Sequence, residues 1–215
     1  MEKQTQSESI KQYVSLQTAY DMLNDKFWGG KLPQVLLTLQ RKRGAKGYFS
    51  PERFVGRSDE GGTISEVALN PDTFRDRSDR EIISTLLHEA THVWQFAYGE
   101  PSRGGYHNKE WATEMKRVGL QPTTTGEPDG KEVGAKVTHF IIEGGVFDTY
   151  WAELEKAGVV IRWESAEGKH KAVVSKERKA SKVKYSCPGC DLNCWAKPEV
   201  TIKCGLCNEY LEPEK

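Results

Sequence analysis

The chain has 215 residues with 31 basic and 31 acidic side chains, so its formal net charge is zero. A hydrophobic content of 37% and a mean hydropathy of −0.66 are typical of a soluble globular protein with one medium domain and a small second one. Its apolar stretches are far shorter than the roughly 20 residues that cross a bilayer, and no signal-peptide pattern follows Met1, so we expect a cytoplasmic protein without a membrane partner.

Hydrophobic periodicity predicts an alternation of helices and short strands. Helices are expected over residues 10–27, 79–98, 109–118 and 147–154, and strands over residues 35–40, 63–69, 137–142 and 159–163. The second helix has the clearest start, because Ser78 and Glu81 have the spacing of a capping box. Gly99 and Pro101 end it, and Asn108 is a suitable N-cap for the third helix.

Two segments concentrate positive charge despite the balanced total. Residues 40–57 carry several lysines and arginines with only Glu52 opposing them. Residues 165–186 are also lysine-rich and contain no aromatic residue before Tyr185, which predicts a basic linker between two domains. A polyanionic partner would have to bind these segments, since the protein as a whole is neutral.

The second helix carries the sequence His88-Glu89-Ala90-Thr91-His92, an H-E-x-x-H motif. Residues four apart share one face of a helix, so both imidazoles can bind the same metal ion. The glutamate beside the first histidine can then approach a metal-bound water. The motif therefore predicts a catalytic zinc site with His88 and His92 as ligands and Glu89 as the catalytic base.

A catalytic zinc site needs a third protein ligand. The extended motif H-E-x-x-H-x-x-G-x-x-H does not supply one, because Gln95 and Tyr98 occupy its glycine and third histidine positions. The candidates that remain are His107, His139, His170, Glu110 and Glu114. His107 has the best setting, since it follows a glycine-bearing loop and immediately precedes the third helix.

All five cysteines lie near the C-terminal end of the sequence, and four of them form two Cys-x-x-Cys pairs, Cys187 with Cys190 and Cys204 with Cys207. Two such pairs in a reducing compartment are typical of a structural zinc site, in which four thiolates leave no open coordination position. We expect the metal to supply folding free energy that so small a domain lacks. Cys194 is the odd thiol and is expected to be a small buried residue or a spare thiol.

Residues 20–33, the segment Leu86–His92 and the segment Gly105–His107 with Trp111 and Met115 together resemble the SprT-like metalloprotease family, whose animal member is Spartan. The resemblance covers roughly residues 10–120, and a terminal zinc ribbon also fits the family. It implies His107 rather than Glu110 as the third ligand. Asn108 and Ala90 differ from residues common in the family, but neither difference removes a ligand.

The resemblance implies an α+β fold in which a small mixed sheet packs on the helices of a zincin-like metallopeptidase, followed by a β zinc ribbon. The expected domains are a metallopeptidase over residues 1–164, a basic linker over 165–186 and the ribbon over 187–215. The implied activity is that of a zinc endopeptidase with one catalytic and one structural zinc ion. Glu89 would take a proton from zinc-bound water and deliver it to the leaving amine.

Several roles stay open at this stage. The candidates for stabilising an oxyanion are Tyr98, Arg103, Tyr106 and His139. The strand over residues 63–69 is a candidate for pairing with an extended peptide substrate. The family resemblance suggests substrates attached to DNA, and the basic linker with Tyr185 and Trp195 could bind single-stranded or damaged DNA.

Two rival functions remain possible on the sequence alone. One is a catalytically silent adaptor that binds DNA or protein, for which an intact Glu89 would have no use. The other is a zinc hydrolase of a non-peptide amide, which would differ only in the shape of its pocket.

Overall fold

The computed structural model describes residues 6–57, 61–166 and 182–214. The chain forms two compact units, Met1–Gly168 and Lys169–Lys215. Among the described residues, the first unit contains both helices and strands, and the second contains strands without helices. The chain as a whole is therefore an α+β protein. In the described ranges no helix is both long enough and apolar enough to cross a membrane.

Among its described residues, the first unit contains four α-helices, five strands and a short 3-10 helix at Pro71–Thr73. In chain order the elements are α1 (Glu8–Trp28), β1 (Val35–Leu39), β2 (Gly47–Val55), β3 (Thr63–Leu69), α2 (Asp79–Tyr98), α3 (Lys109–Arg117), β4 (Leu120–Thr123), β5 (Thr138–Ile141) and α4 (Val146–Lys156). The four predicted helices are confirmed, as are the predicted strands that correspond to β1, β3 and β5.

Local capping sets the ends of these helices. Ser78 and Glu81 form the complete capping box of α2, each side chain binding the backbone of the other residue. The Asn108 side chain accepts a hydrogen bond from the Trp111 amide at the start of α3. Gly29 ends α1 in the left-handed region, at φ 61°.

The main sheet of this unit is mixed, with strand order β1-β3-β2. β1 runs parallel to β3, and β2 runs antiparallel to it. Because β3 is paired on both sides, the expectation that residues 63–69 receive a peptide by edge pairing is wrong. β2, which the sequence analysis missed, is an edge strand of this sheet instead.

β2 escapes detection because its sequence lacks a regular apolar alternation. Residues 50–53 read Ser-Pro-Glu-Arg, and the pairing with β3 is irregular between Ser50 and Phe54. Glu52 adopts a positive φ of 47° at this irregularity. Pro51 is compatible with the strand because the strand lies at the edge of the sheet, where an unpaired backbone position is tolerated.

The strand predicted over residues 159–163 is absent, although the segment is well anchored. The backbone N–H and C=O of Val160 bond to the Ser15 hydroxyl, Ile161 N–H donates to Asp79, and Arg162 N–H donates to Gln12. Side chains of α1 and α2 thus satisfy the backbone groups that a neighbouring strand would satisfy in a sheet.

The core of the first unit lies between α1, α2, α3, α4 and the inner face of the sheet. Its largest fully buried side chains include Trp111, Phe147, Leu16, Leu23, Ile83, Leu86 and Leu87. These residues form one continuous cluster. The helix that carries the H-E-x-x-H motif is therefore buried at the centre of this unit.

The described residues of the second unit form a small three-stranded sheet with strand order β7-β6-β8. Its strands are β6 (Val183–Ser186), β7 (Asn193–Ala196) and β8 (Glu212–Pro213). β6 lies in the segment that the sequence analysis assigned to the linker, and it pairs with both neighbours. Most of the expected linker, residues 167–181, lies outside the described residues.

Gly119 generates a prediction about stability. It joins α3 to β4 at φ +96°, and a Cβ at this position would lie 2.6 Å from the Phe147 backbone nitrogen. Gly126 has a similar φ of +91°, but a Cβ there would meet only a Thr138 methyl group at 3.9 Å.

We expect Gly126→Ala to lower the free energy of unfolding by about 1–2 kcal/mol through backbone strain alone. Gly119→Ala should cost about 1–3 kcal/mol more, because the added methyl group has no space. Urea unfolding followed by tryptophan fluorescence measures both losses. Equal losses in the two variants would contradict this interpretation of the α3–α4 contact.

Candidate metal centres

α2 places His88, Glu89 and His92 next to one another, the first two buried and His92 half-buried. His88 and Glu89 are 7% and 5% exposed, respectively. The rings of His88 and His92 have centroids 5.2 Å apart, as expected for residues separated by one helical turn. The two imidazoles therefore face the same volume.

His107 joins them from the segment that precedes α3. Its ring centroid lies 5.6 Å from that of His88 and 4.8 Å from that of His92. The ligand nitrogens of the three histidines lie within 4.8 Å of one another, close enough to hold one metal ion. The structure thus brings together the three histidines that the sequence analysis selected.

The backbone and the ring of His107 are both held by Gly134. The two residues exchange backbone hydrogen bonds of 2.8 and 3.0 Å. His107 Nδ1 also lies 3.1 Å from the Gly134 carbonyl oxygen, so Nδ1 carries the proton and donates it. This leaves Nε2 with a free lone pair, which is the usual arrangement for a metal-binding histidine.

The Trp111 indole packs against all three imidazole rings. Its indole centroid lies 4.9 Å from His88, 5.0 Å from His92 and 4.3 Å from His107. The His92 ring stacks on the indole with an interplanar angle of 18°. Since Trp111 is completely buried, this contact fixes where the imidazoles can lie.

Burial keeps these imidazoles neutral. It lowers the pKa of His88 well below its usual value, that of His92 to about 3, and that of His107 by a smaller amount. Neutral imidazole is the form that binds a metal. Three neutral imidazoles beside a carboxylate match the donor set of a catalytic zinc site, which uses three protein ligands and one open position.

Glu89 lies in the same environment. Burial raises the pKa of its carboxyl to about 8, while the Lys42 cation and a hydrogen bond from the Phe49 backbone act in the opposite direction. A divalent cation held by the neighbouring imidazoles would add to this opposing effect and favour the ionised carboxylate.

The other candidates for the third ligand have different partners. Glu110 accepts hydrogen bonds from Gln95 and from the Glu100 amide. Glu114 accepts hydrogen bonds from Trp28 and Arg117. His139 bonds to His88 and Ser84, a role that the sequence did not indicate. His170 lies outside the described residues.

The three histidines line a cleft of about 800 Å³. Its walls come from β2, from the loop before His107 and from the segment that leads into β5; they include Gly47, Phe49, Pro101, Tyr106, Val137 and His139. Four cationic residues, Lys42, Lys46, Arg103 and Lys136, also line the cleft. The cleft has room for a segment of an extended peptide beside the metal ligands.

Of the four candidate oxyanion donors, Arg103, Tyr106 and His139 line the cleft. Tyr98 instead donates its hydroxyl hydrogen bond to the Lys31 carbonyl. His139 lines the cleft, but its two ring nitrogens bond to His88 and Ser84. Arg103 and Tyr106 therefore remain the candidates with side chains available toward a substrate.

The second unit brings together the sulfur atoms of Cys187, Cys190, Cys204 and Cys207. All four atoms lie within 4.8 Å of one another, and the Cys190 and Cys204 sulfurs are 3.6 Å apart. Backbone hydrogen bonds from Cys207 and Leu206 lower the pKa of the Cys204 thiol to about 7. Four thiol groups at this spacing could form a zinc ribbon.

Cys194 is not part of this group. It lies on β7 opposite Tyr185 of β6 and packs, half-buried, against the small apolar cluster of the second unit. This position agrees with the expectation of a small packed residue.

A family model described as the SprT-like family matches residues 16–139, which is more than half of the chain. The chain belongs to the SprT-like family. It is also 47% identical over 55 residues to a Salmonella typhimurium protein described as "Uncharacterized protein in mucB 3'region", an alignment that covers 26% of this chain and 73% of that protein. Membership of the SprT-like family supports a metalloprotease-like function at the level of the family.

The two clusters predict two independent metal sites in this SprT-like protein. The wild-type chain should bind two equivalents of zinc, measured by elemental analysis after removal of loosely bound metal. His92→Ala should lose the equivalent held by the histidines, and Cys204→Ser should lose the one held by the thiolates. Loss of both equivalents in either variant, or of neither, would contradict the assignment.

Proposed function

We propose that the chain is a zinc-dependent endopeptidase that cleaves peptide bonds with Glu89 as its general base. The observation that carries this proposal is the position of the Glu89 carboxyl, beside three converging imidazoles and at the wall of an open cleft. A purely structural zinc site has four protein ligands and no need for an adjacent carboxylate.

His88, His92 and His107 would hold the zinc ion. When bound, zinc would polarise the scissile carbonyl group and make water more acidic. Glu89 accepts the proton from the attacking water at a carboxylate oxygen and then gives it to the nitrogen of the leaving amine. Family membership supports this assignment for the motif residues.

Two features of β2 keep the Glu89 carboxylate in place. The Phe49 backbone lies close enough to the carboxyl to lower its pKa and so favour the ionised form. Gly47 permits this close packing, because a Cβ at that position would lie 2.8 Å from the Ala68 carbonyl oxygen, 3.0 Å from a Thr85 methyl group and 3.1 Å from Oε1 of Glu89. The edge strand and the catalytic residue are therefore fitted closely to each other.

β2 is also the best candidate for binding the substrate backbone. It pairs with β3 on one side, and Gly47, Tyr48 and Phe49 line the cleft. An extended peptide could add to this edge through main-chain hydrogen bonds, which would give weak dependence on the substrate sequence. Arg103 or Tyr106 would donate to the oxyanion.

Glu89→Gln tests the general base. The variant retains the shape of the side chain but cannot take up a proton, so we expect peptide cleavage to fall by about 10²–10⁴-fold while both zinc equivalents stay bound. Cleavage of a fluorogenic peptide measures the rate, and elemental analysis measures the zinc. Glu153→Gln, at an exposed position on α4, is the matched control.

Wild-type turnover in Glu89→Gln would remove this residue from the mechanism. Wild-type protein that binds zinc at the histidines but cleaves no peptide would favour the alternative function, a catalytically silent adaptor that binds DNA or protein.

We propose in addition that the substrates include proteins associated with DNA. In the first unit, the basic segment of residues 40–57 presents Arg43 and Arg53 on the surface. In the second unit, Trp195 is 62% exposed and available to stack on an unpaired base. Basic side chains and an exposed indole support sequence-tolerant binding of single-stranded DNA.

A salt titration tests this proposal. The affinity for a single-stranded oligonucleotide should fall as the salt concentration rises, and Arg43→Ala with Arg53→Ala should reduce the slope of log K against log salt by about 0.7 for each phosphate contact removed. Lys156→Ala on α4 is the control and should leave the slope unchanged. No detectable binding at low salt would contradict the proposal.

A further inference from the structure

His139 bonds directly to a proposed zinc ligand. Its Nδ1 lies 3.0 Å from Nδ1 of His88, and its Nε2 lies 2.8 Å from the Ser84 hydroxyl oxygen. The Ser84 hydroxyl in turn donates a hydrogen bond of 2.7 Å to the Glu81 carbonyl oxygen, one turn earlier in α2. A single chain of hydrogen bonds thus connects the His88 ring to the backbone of its own helix through β5.

We propose that His139 is a positioning residue that selects the tautomer and the orientation of His88 in which Nε2 is free to bind the metal. The proposal rests on the metal site described above but not on the peptidase activity.

The direction of the hydrogen bonds follows from the donors available. The Ser84 hydroxyl has one proton, which it gives to the Glu81 carbonyl, so its oxygen accepts from His139 Nε2–H. A neutral His139 that is protonated at Nε2 has an acceptor at Nδ1. His88 must then donate from Nδ1, which leaves the lone pair of its Nε2 unused.

The reverse direction would defeat the site. If His139 donated from Nδ1, His88 would accept at Nδ1 and carry its proton on Nε2, where a metal would have to bind. The hydrogen bond to Ser84 prevents this, because it keeps the proton of His139 on Nε2 and leaves Nδ1 as an acceptor.

His107 is held in an equivalent way. Its Nδ1 donates to the Gly134 carbonyl, and Gly134 lies in the same segment between α3 and α4 that leads into β5 and His139. Residues 134–139 therefore supply the outer hydrogen-bond partners of two different zinc ligands. His92 has another kind of support, since its ring stacks on Trp111.

Two substitutions of His139 separate the proposed role from simple filling of space. In His139→Asn, the amide oxygen takes the place of Nδ1 and can accept from His88. In His139→Gln, the amide nitrogen reaches toward Ser84, and the acceptor for His88 is displaced. His139→Ala removes the hydrogen bonds to both His88 and Ser84.

The measurement is the zinc affinity of the histidine site in the full-length chain, obtained by competition with a chelator. We expect about 10–100-fold weaker binding in His139→Ala and His139→Gln, and near-wild-type binding in His139→Asn. The cobalt-substituted site gives a second readout, because its visible spectrum should change in the Ala and Gln variants and return toward wild type in the Asn variant. Zinc bound by the four cysteines is the internal control, and circular dichroism checks the fold.

Wild-type zinc affinity in His139→Ala, or equal losses in the Asn and Gln variants, would overturn the proposal. Ser84→Ala provides an independent check: it should weaken zinc binding less than His139→Ala does, because the acceptor remains but its proton is no longer anchored. Failure of the wild-type histidine site to bind zinc at all would overturn both this proposal and the proposed function, whereas zinc binding without peptide cleavage would reject the proposed function alone.

Discussion

The packing of Trp111 against three imidazoles is the contact on which the geometry of the site depends. His88 and His92 belong to α2, while His107 precedes α3, so the three can converge only if the two helices have a fixed register. The buried indole touches every ring. Gln95 adds a polar contact, since its side-chain amide donates hydrogen bonds to both Asn108 and Glu110. The register of α2 on α3 is thus set by one apolar and one polar contact.

Gln95 also accounts for the route of the chain after the motif. A glycine at this position would permit α2 to end and turn toward a third histidine close in sequence. Here α2 continues to Tyr98, and Gln95 holds the cap of the next helix. The third histidine must then come from the far end of a loop, where Gly134 fixes its backbone and its ring. Gln95, which replaces the glycine of the extended motif, therefore stabilises the chain path that brings His107 to the site.

The sequence predicts those parts of the site that depend on local structure. The capping box and the spacing of His88 and His92 require only that α2 is a helix. His107 was favoured by its position between a loop and a capped helix, and by the family resemblance. The role of His139 could not be predicted, because it depends on where the β4–β5 hairpin packs against α2. β2 was missed since Pro51 and the irregular pairing at Ser50 and Phe54 hide its alternation. The segment at residues 159–163 has strand-like composition, but its hydrogen-bond partners are side chains distant in sequence.

The two proposed metal sites differ in how much the fold of their unit depends on the metal. The histidines belong to a unit with a large continuous core, which includes Leu86, Trp111 and Phe147 and is built from apolar side chains. Among the described residues of the second unit, the buried apolar cluster consists of Tyr185, Cys187, Cys204 and Leu211, so two of its four members are themselves proposed ligands. If these cysteines bind zinc as proposed, removing the metal would leave this unit with little apolar core to keep it folded. On the proposed function, the first site would keep an open position for a substrate, whereas the second would use all four positions for ligands that hold its unit together.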